Sequence, residues 1–276
     1  MRVTKHSGEQ IAFNPESLKN SLRKSGANDQ QIDDVFNNIL KEMYDGITTR
    51  ALYEMAFGYL KKHKTAYAAK YSLKKALRDL GPNGFYFEKW VCSLLHYLGF
   101  QSVNGQTLQG HAVTHEIDVI AIKNDEFNII ECKLRNDIDA KISVTTPMYF
   151  LSRMQDLANK QFHYFDQDRF ITNGWLVTNA YFTKDSIAFG NYYGIKLLSW
   201  DFPNGNSIKN LTDDGGLYPI TCLTVINSQQ KSILLDNDMI LVQNILDQPE
   251  QLKQLLKHPE LVQQVLKEAQ ELIALK

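Results

Sequence analysis

The chain is poor in cysteine and proline, carries almost no net charge and has no long apolar run. Its three cysteines, Cys92, Cys132 and Cys222, are odd in number and far apart. Neither a disulfide framework nor a zinc site has that spacing. Apolar neighbours around each predict reduced, buried thiols in a cytoplasmic protein. No stretch reaches the roughly 18–20 apolar residues of a membrane span, and no apolar run follows Met1-Arg2-Val3-Thr4-Lys5, so neither a signal peptide nor a membrane partner is expected. Lysine and arginine number 30 against 31 Asp and Glu, a formal net charge of −1. That does not advertise nucleic-acid binding, which often goes with a strongly basic domain, and does not exclude it, because a local basic groove is enough. What is present is a hydrophobic fraction of 43% over 276 residues, enough for packed cores and two domains.

Residues 1–80 read as one small unit. Arg2–Lys5 and Gln10–Phe13 predict a hairpin that turns at His6-Ser7-Gly8-Glu9. Asn14 before Pro15 predicts a capped helix start, with Leu18 and Leu22 on its stripe. A second helix is predicted over 29–45, with Ile32, Val35, Phe36, Ile39, Leu40 and Met43 inward and Gly46 as its stop. A third starts at Thr48-Thr49 and carries Leu52, Ala56, Phe57, Tyr59 and Leu60. Lys61 to Lys64 reads as a charged connector before a fourth helix over 65–79.

Gly81-Pro82-Asn83-Gly84 is the strongest break in the chain and predicts a domain boundary. A helix over 87–97 follows, with Phe87, Trp90, Val91, Leu94, Leu95 and Leu98 apolar and Gly99 as its stop. Two apolar strands come next, then a helix from Thr146-Pro147 to about Phe165, a strand at 174–178, a helix at 184–193 and a strand at 195–200. Strands alternating with helices predict a mixed α/β sheet covered on both faces. From Leu217 the pattern is helical: 229–235, 238–246, and two helices opened by Pro249-Glu250 and Pro259-Glu260. The expected organisation is α/β, with domains at 1–80, 81–216 and 217–276.

The chemistry concentrates in the two central strands. Glu116-Ile117-Asp118 runs along the first, and Glu131-Cys132-Lys133 closes the second. Side chains alternate along a strand, so Glu131 and Lys133 share a face, and strand pairing can bring Asp118 beside them. An isolated Glu-x-Lys on a strand is usually a solvated ion pair. Here the pair follows Phe127-Asn128-Ile129-Ile130, which reads as a central strand, and charge on a central strand needs a reason. Two carboxylates with an ammonium can hold a hard divalent cation and orient a water. His111 and His115 flank the pattern, and Thr178-Asn179 ends a strand beside it; local bonding is the ordinary role of such residues.

These motifs, with Gly84-Phe85-Tyr86-Phe87-Glu88 before them and Val177-Thr178-Asn179 after them, resemble the restriction-endonuclease-like PD-(D/E)xK nucleases, in their Mrr-like form, over residues 81–202. The resemblance implies a Mg²⁺- or Mn²⁺-dependent endonuclease acting on DNA. In it Asp118, Glu131 and the Cys132 carbonyl would bind metal. Lys133 would position the attacking water, and Glu88 would reach the same site. Double-strand cutting would call for a homodimer, and a restriction or defence role follows by analogy.

Val3-Thr4-Lys5, Gly8, Phe13-Asn14, Tyr44-Asp45-Gly46-Ile47-Thr48-Thr49 and Ala66-Tyr67-Ala68-Ala69-Lys70-Tyr71 resemble an ATP cone, a hairpin followed by four helices. That resemblance covers residues 1–80 and implies ATP or dATP as a regulatory ligand. Val3, Lys5 and Asn14 would surround base and phosphates, and Lys70, Lys74, Lys75 and Arg78 are the phosphate candidates on the last helix. No phosphate-cradling GxxxxGK[ST] loop is present, so ATP hydrolysis is not expected. The alternative to a regulated nuclease is a nucleotide-responsive DNA-binding regulator on a catalytically silent nuclease fold.

Overall fold

A computed structural model describes residues 1–5, 7–81 and 84–275. His6, in the predicted first turn, and Pro82-Asn83, in the predicted break, lie outside the described residues. The chain divides into two compact units, Met1–Ala76 with Tyr218–Lys276, and Leu77–Leu217.

The first unit opens with β1 (Arg2–Thr4) and β2 (Gln10–Ala12), antiparallel with Val3 opposite Ile11. Helix α1 (Pro15–Arg23) starts where predicted: the Asn14 side chain accepts the Ser17 N–H at 3.1 Å, and Pro15 sits in the first turn. Helix α2 (Asp29–Glu42) carries a reciprocal Asn28/Gln31 capping box and buries Ile32, Val35, Phe36 and Ile39. It is shorter than the predicted 29–45, and Leu40, expected inward, is 41% exposed because the buried stripe is narrower than the run of apolar residues. Ile47–Thr48 forms β3, which pairs in parallel with β1. Helix α3 (Thr49–His63) follows, capped by Thr48, so the basic Lys61-Lys62-His63 run is its last turn rather than a connector. The predicted fourth helix divides at Ser72 into α4 (Thr65–Tyr71) and α5 (Leu73–Arg78).

The second unit holds α6 (Phe85–Tyr97), β4 (Gln101–Gln109), β5 (Thr114–Lys123), β6 (Glu126–Lys133), β7 (Lys141–Ile142), α7 (Thr145–Leu157), β8 (Gln161–Tyr164), β9 (Gln167–Phe170), β10 (Asn173–Thr178), β11 (Tyr181–Phe182), α8 (Lys184–Tyr192), β12 (Lys196–Leu198) and α9 (Ile208–Gly215). Its main sheet has the order β12-β10-β6-β5-β4, so β6 is central. Strand β4 is antiparallel to β5 and β5 to β6, while β10 runs parallel to β6 and β12 parallel to β10. Phe127, Ile129, Leu176, Phe150 and Leu157 build one core layer with α7. Helix α6 packs on β4, β5 and β6 and buries Phe87, Trp90, Val91, Leu94 and Leu95 as expected. Helix α7 ends at Leu157, not near Phe165: residues 161–170 instead form the β8–β9 hairpin, with Phe165 and Asp166 at φ of 50° and 59°.

The C-terminal helices α10 (Ser228–Asp236), α11 (Val242–Asp247), α12 (Pro249–Leu256) and α13 (Pro259–Ile273) complete the first unit. Val262, Val265, Ala269 and Leu272 form the buried stripe of α13, and the helix packs on α4. Buried Glu268 accepts the Thr224 N–H at 3.0 Å, the Thr224 hydroxyl at 2.7 Å and the Val225 N–H at 3.2 Å. Among the described residues no helix is long and apolar enough to cross a membrane.

Candidate active site and nucleotide-binding unit

The central motif lies where two strands part. The β5–β6 ladder ends at Val119 opposite Ile130, while β6 stays paired with β10 as far as Thr178 opposite Lys133. Glu131, Cys132 and Lys133 are therefore held by β10 after β5 has turned away. The β4–β5 register also skips Asp118, pairing Asn104 with Val119 and Gln106 with Ile117; the intervening Gly105 has φ of 64°, a conformation glycine adopts without penalty. The Asp118 carboxylate reaches β6, where its Oδ2 accepts the Cys132 N–H at 2.6 Å.

Glu131 is 3% exposed, and both of its oxygens are paired: Oε1 with the Lys133 ammonium, Oε2 with the Arg153 guanidinium. Burial on a central strand is tolerable for this charge only because both partners are present. Glu88, in the first turn of α6, completes the cluster electrostatically. Burial, then the like charges of Asp118 and Glu131, push its carboxyl up to about 7 against the pull of Lys133. Burial and Glu131 likewise push Asp118 up to about 6, although the Cys132 N–H, Lys133 and Arg153 oppose the rise. The buried Cys132 thiol is driven well above its ordinary range by desolvation and by the neighbouring carboxylates. The structure thus brings Glu88, Asp118, Glu131, Cys132 and Lys133 together.

Arg153 was not among the expected residues. Its Nη1 also donates to the Glu116 carbonyl at 2.9 Å, and its guanidinium lies 5.3 Å from the Tyr149 ring centroid. A signal was available: Phe150, Arg153, Met154 and Leu157 fall at i, i+3, i+4 and i+7 on α7, so an arginine interrupts an apolar stripe and requires a buried partner. The flanking histidines bond locally. His115 Nε2 lies 2.8 Å from Asp156 Oδ2, and His111 Nε2 lies 2.9 Å from the Ala158 carbonyl. The Ala112 N–H, then His115, hold the Asp156 carboxyl down at about 2. Thr178 Oγ1 donates to the Lys133 carbonyl at 2.5 Å, and the Asn179 amide accepts the Arg135 N–H and donates to the Arg135 carbonyl, each at 2.8 Å. Both residues fasten the backbone that follows the motif.

The donors at the fork are hard oxygens: the carboxylates of Asp118 and Glu131, the Cys132 carbonyl, and Glu88 alongside. Their mutual repulsion is what a divalent cation would offset, so the donor chemistry fits Mg²⁺ or Mn²⁺. Among the described residues no three His, Cys, Asp or Glu side chains form a ready-made ion cluster. Metal holding would therefore engage the backbone carbonyl and draw Glu131 away from one of its cationic partners.

In the first unit, Val3 is buried on β1, which pairs with β2 on one side and β3 on the other, and Lys5 Nζ lies 2.9 Å from Glu9 Oε2. The Asn14 amide oxygen caps α1, and Lys70 Nζ donates to the Leu275 carbonyl at 2.6 Å. Lys74 and Lys75 lie on α5; Arg78, at the end of that helix, falls in the second unit, where its charge acts on Tyr181.

Comparison with known proteins agrees with the N-terminal reading. Residues 1–80 match the ATP cone domain, and residues 218–273 match the family described as AF1548-like, C-terminal. An uncharacterized protein of Archaeoglobus fulgidus is 33% identical over 135 residues, which span 49% of this chain and 72% of that protein. The crystal structure of the protein of unknown function AF1548 superposes with a TM-score of 0.58 at 28% identity, covering 70% of this chain and 99% of that one. A cone followed by a mixed α/β unit and closing helices is thus found in a chain that belongs to the AF1548-like family and carries an ATP cone domain at its N-terminus.

Proposed function

We propose that the second unit is a Mg²⁺- or Mn²⁺-dependent DNA endonuclease whose activity answers to ATP or dATP in the cone. The observation that carries the reading is the fork between β5 and β6, where Asp118 and Glu131 converge beside Lys133 on a strand that has no structural need for charge. Asp118, Glu131 and the Cys132 carbonyl would hold the ion, which would supply Lewis acidity at a phosphate oxygen and make an attacking water easier to deprotonate. Lys133 orients that water and offsets charge developing on the phosphate. Glu88, poised near neutrality, accepts or returns a proton at its carboxyl oxygen. Cutting both strands with one site per chain requires two copies acting together.

The ATP cone implies a nucleotide ligand, and since the sequence has no GxxxxGK[ST] loop the nucleotide is expected to be bound and not hydrolysed. Titration calorimetry with ATP and dATP tests the cone, and absence of binding at millimolar nucleotide removes the sensor role. Incubation with unmodified, methylated, branched and single-stranded DNA in Mg²⁺ or Mn²⁺, with and without nucleotide, tests the nuclease.

A further inference from the structure

Both oxygens of Glu131 are occupied by cationic side chains, yet the endonuclease reading needs one of them for metal. The two occupants differ. Lys133 is 32% exposed and belongs to the motif, whereas Arg153 comes from α7 and is 11% exposed. Arg153 also keeps unused capacity: its Nε–H is buried without a hydrogen-bond partner, and a guanidinium has five donors in a fork that suits carboxylate and phosphate alike. Tyr149, beneath the guanidinium, is 62% exposed, so the stacked pair stands at the solvent side of the fork.

The charges give the exchange a direction. Glu88, Glu116, Asp118 and Glu131, when ionised, exceed Lys133 and Arg153 by two negative charges, so the site without metal attracts a cation and repels a phosphodiester. A divalent ion cancels that excess, and with it the repulsion of a phosphodiester anion. In that state Glu131 no longer depends on Arg153, and the guanidinium has a competing anion of matching geometry.

We propose that Arg153 is a partner-exchanging positioning residue: it occupies Glu131 Oε2 while the site lacks metal, then passes to a substrate phosphate when a cation takes that oxygen, so that metal and phosphodiester bind cooperatively. The exchange rests on the endonuclease reading of the second unit. It has a sign that a merely structural arginine lacks. A structural role predicts that removing Arg153 loosens metal binding; a competitor's removal tightens it.

The test uses the full chain and Ca²⁺, followed by calorimetry with and without a short DNA duplex. In the wild type the duplex strengthens Ca²⁺ binding by about tenfold, within the usual span of coupling between two sites. In Arg153→Gln, Ca²⁺ binds the DNA-free protein several-fold more tightly than in the wild type, and the duplex adds little. Arg153→Lys, which keeps the charge without the fork, lies between the two and decides the matter if the Gln variant fails to fold by circular dichroism. Weaker or unchanged Ca²⁺ binding by a folded Arg153 variant, or undiminished coupling to DNA, overturns the exchange. If that happens while the wild type cuts DNA in Mg²⁺, the endonuclease reading survives alone. If the wild type cuts nothing and Asp118→Asn leaves Ca²⁺ binding unchanged, the endonuclease reading fails and the exchange falls with it.

Discussion

Asp118 takes the place of a backbone carbonyl: its Oδ2 accepts the Cys132 N–H at 2.6 Å, at the point where β5 ceases to pair with β6. One carboxylate therefore both closes the end of a ladder and faces the fork, and two substitutions separate these roles. Asp118→Asn retains an amide oxygen for the Cys132 N–H and removes the charge. It should melt within a few degrees of the wild type and lose divalent-metal binding. Asp118→Ala should also leave a buried N–H unpaired, at a cost of about 1–3 kcal/mol in chemical denaturation. Equal stability of the two variants contradicts the structural half of this account.

The raised carboxyls predict a definite pH dependence. Glu88 and Asp118 take up protons more readily folded, near 7 and 6, than in an unfolded chain, where they titrate near about 4. Between those limits the folded state binds more protons, so the contribution of these groups to stability grows as pH falls from above about 7 towards the ordinary carboxylate range and is lost as pH rises again. Metal takes the ionised forms, so its binding should release protons at pH 6 to 7 and tighten with rising pH. Calorimetry in buffers of different ionisation enthalpy reads this directly. Glu88→Gln should remove the upper part of the effect, and proton uptake on metal binding contradicts it.

Gly174 in β10 lets α7 approach the sheet. A Cβ there would clash with Met154 Sδ and lie 2.8 Å from the Phe150 ring. Gly174→Ala should destabilise the second unit by about 1–3 kcal/mol. Because Arg153 lies on the same helix, the variant should also weaken its hold on Glu131. A denaturation midpoint equal to that of the wild type would rule out the close approach.

In the first unit, Glu268→Ala strips Thr224 and Val225 of their acceptor. Two buried or half-buried N–H groups then need water, and a loss of about 1–3 kcal/mol is expected. The released loop is also tied to α3 by the Lys61 ammonium, 2.9 Å from the Thr224 carbonyl, so protection from hydrogen exchange should fall at residues 221–226 and in α13. A change confined to the substituted position argues against this bracing.

Much of this architecture was legible because its signals are local. Asn14-Pro15 starts α1, and Gly99 follows α6, each through short-range chemistry. Glu131 and Lys133 stood out because a charged pair ended an apolar strand, and β6 is central. What escaped was non-local or ambiguous. Ile47-Thr48 is a strand only because it pairs with Val3-Thr4, more than 40 positions earlier. Residues 158–165 fit a helical continuation, but Asn159, at φ of 59°, lies just past the end of α7. Gln161 to Tyr164 then alternates as a strand, and the Phe165-Asp166 turn lacks the Asn-Gly pair that usually marks such hairpins. Arg153 escaped because its partner lies 22 positions away on another element. The cone motifs led to the domain, whose family match runs through residue 80.

The most direct measurement is cleavage of supercoiled and linear DNA by the full chain in Mg²⁺ or Mn²⁺, wild type beside Lys133→Ala, with and without ATP or dATP. Lys133 is one-third exposed at the fork but neutralises one oxygen of buried Glu131, so circular dichroism of Lys133→Ala accompanies the assay to show that the variant is folded. The account predicts cutting by the wild type, its loss by at least about 100-fold in Lys133→Ala, and a rate that changes with nucleotide. Identical behaviour of the two proteins on every DNA form contradicts the endonuclease reading.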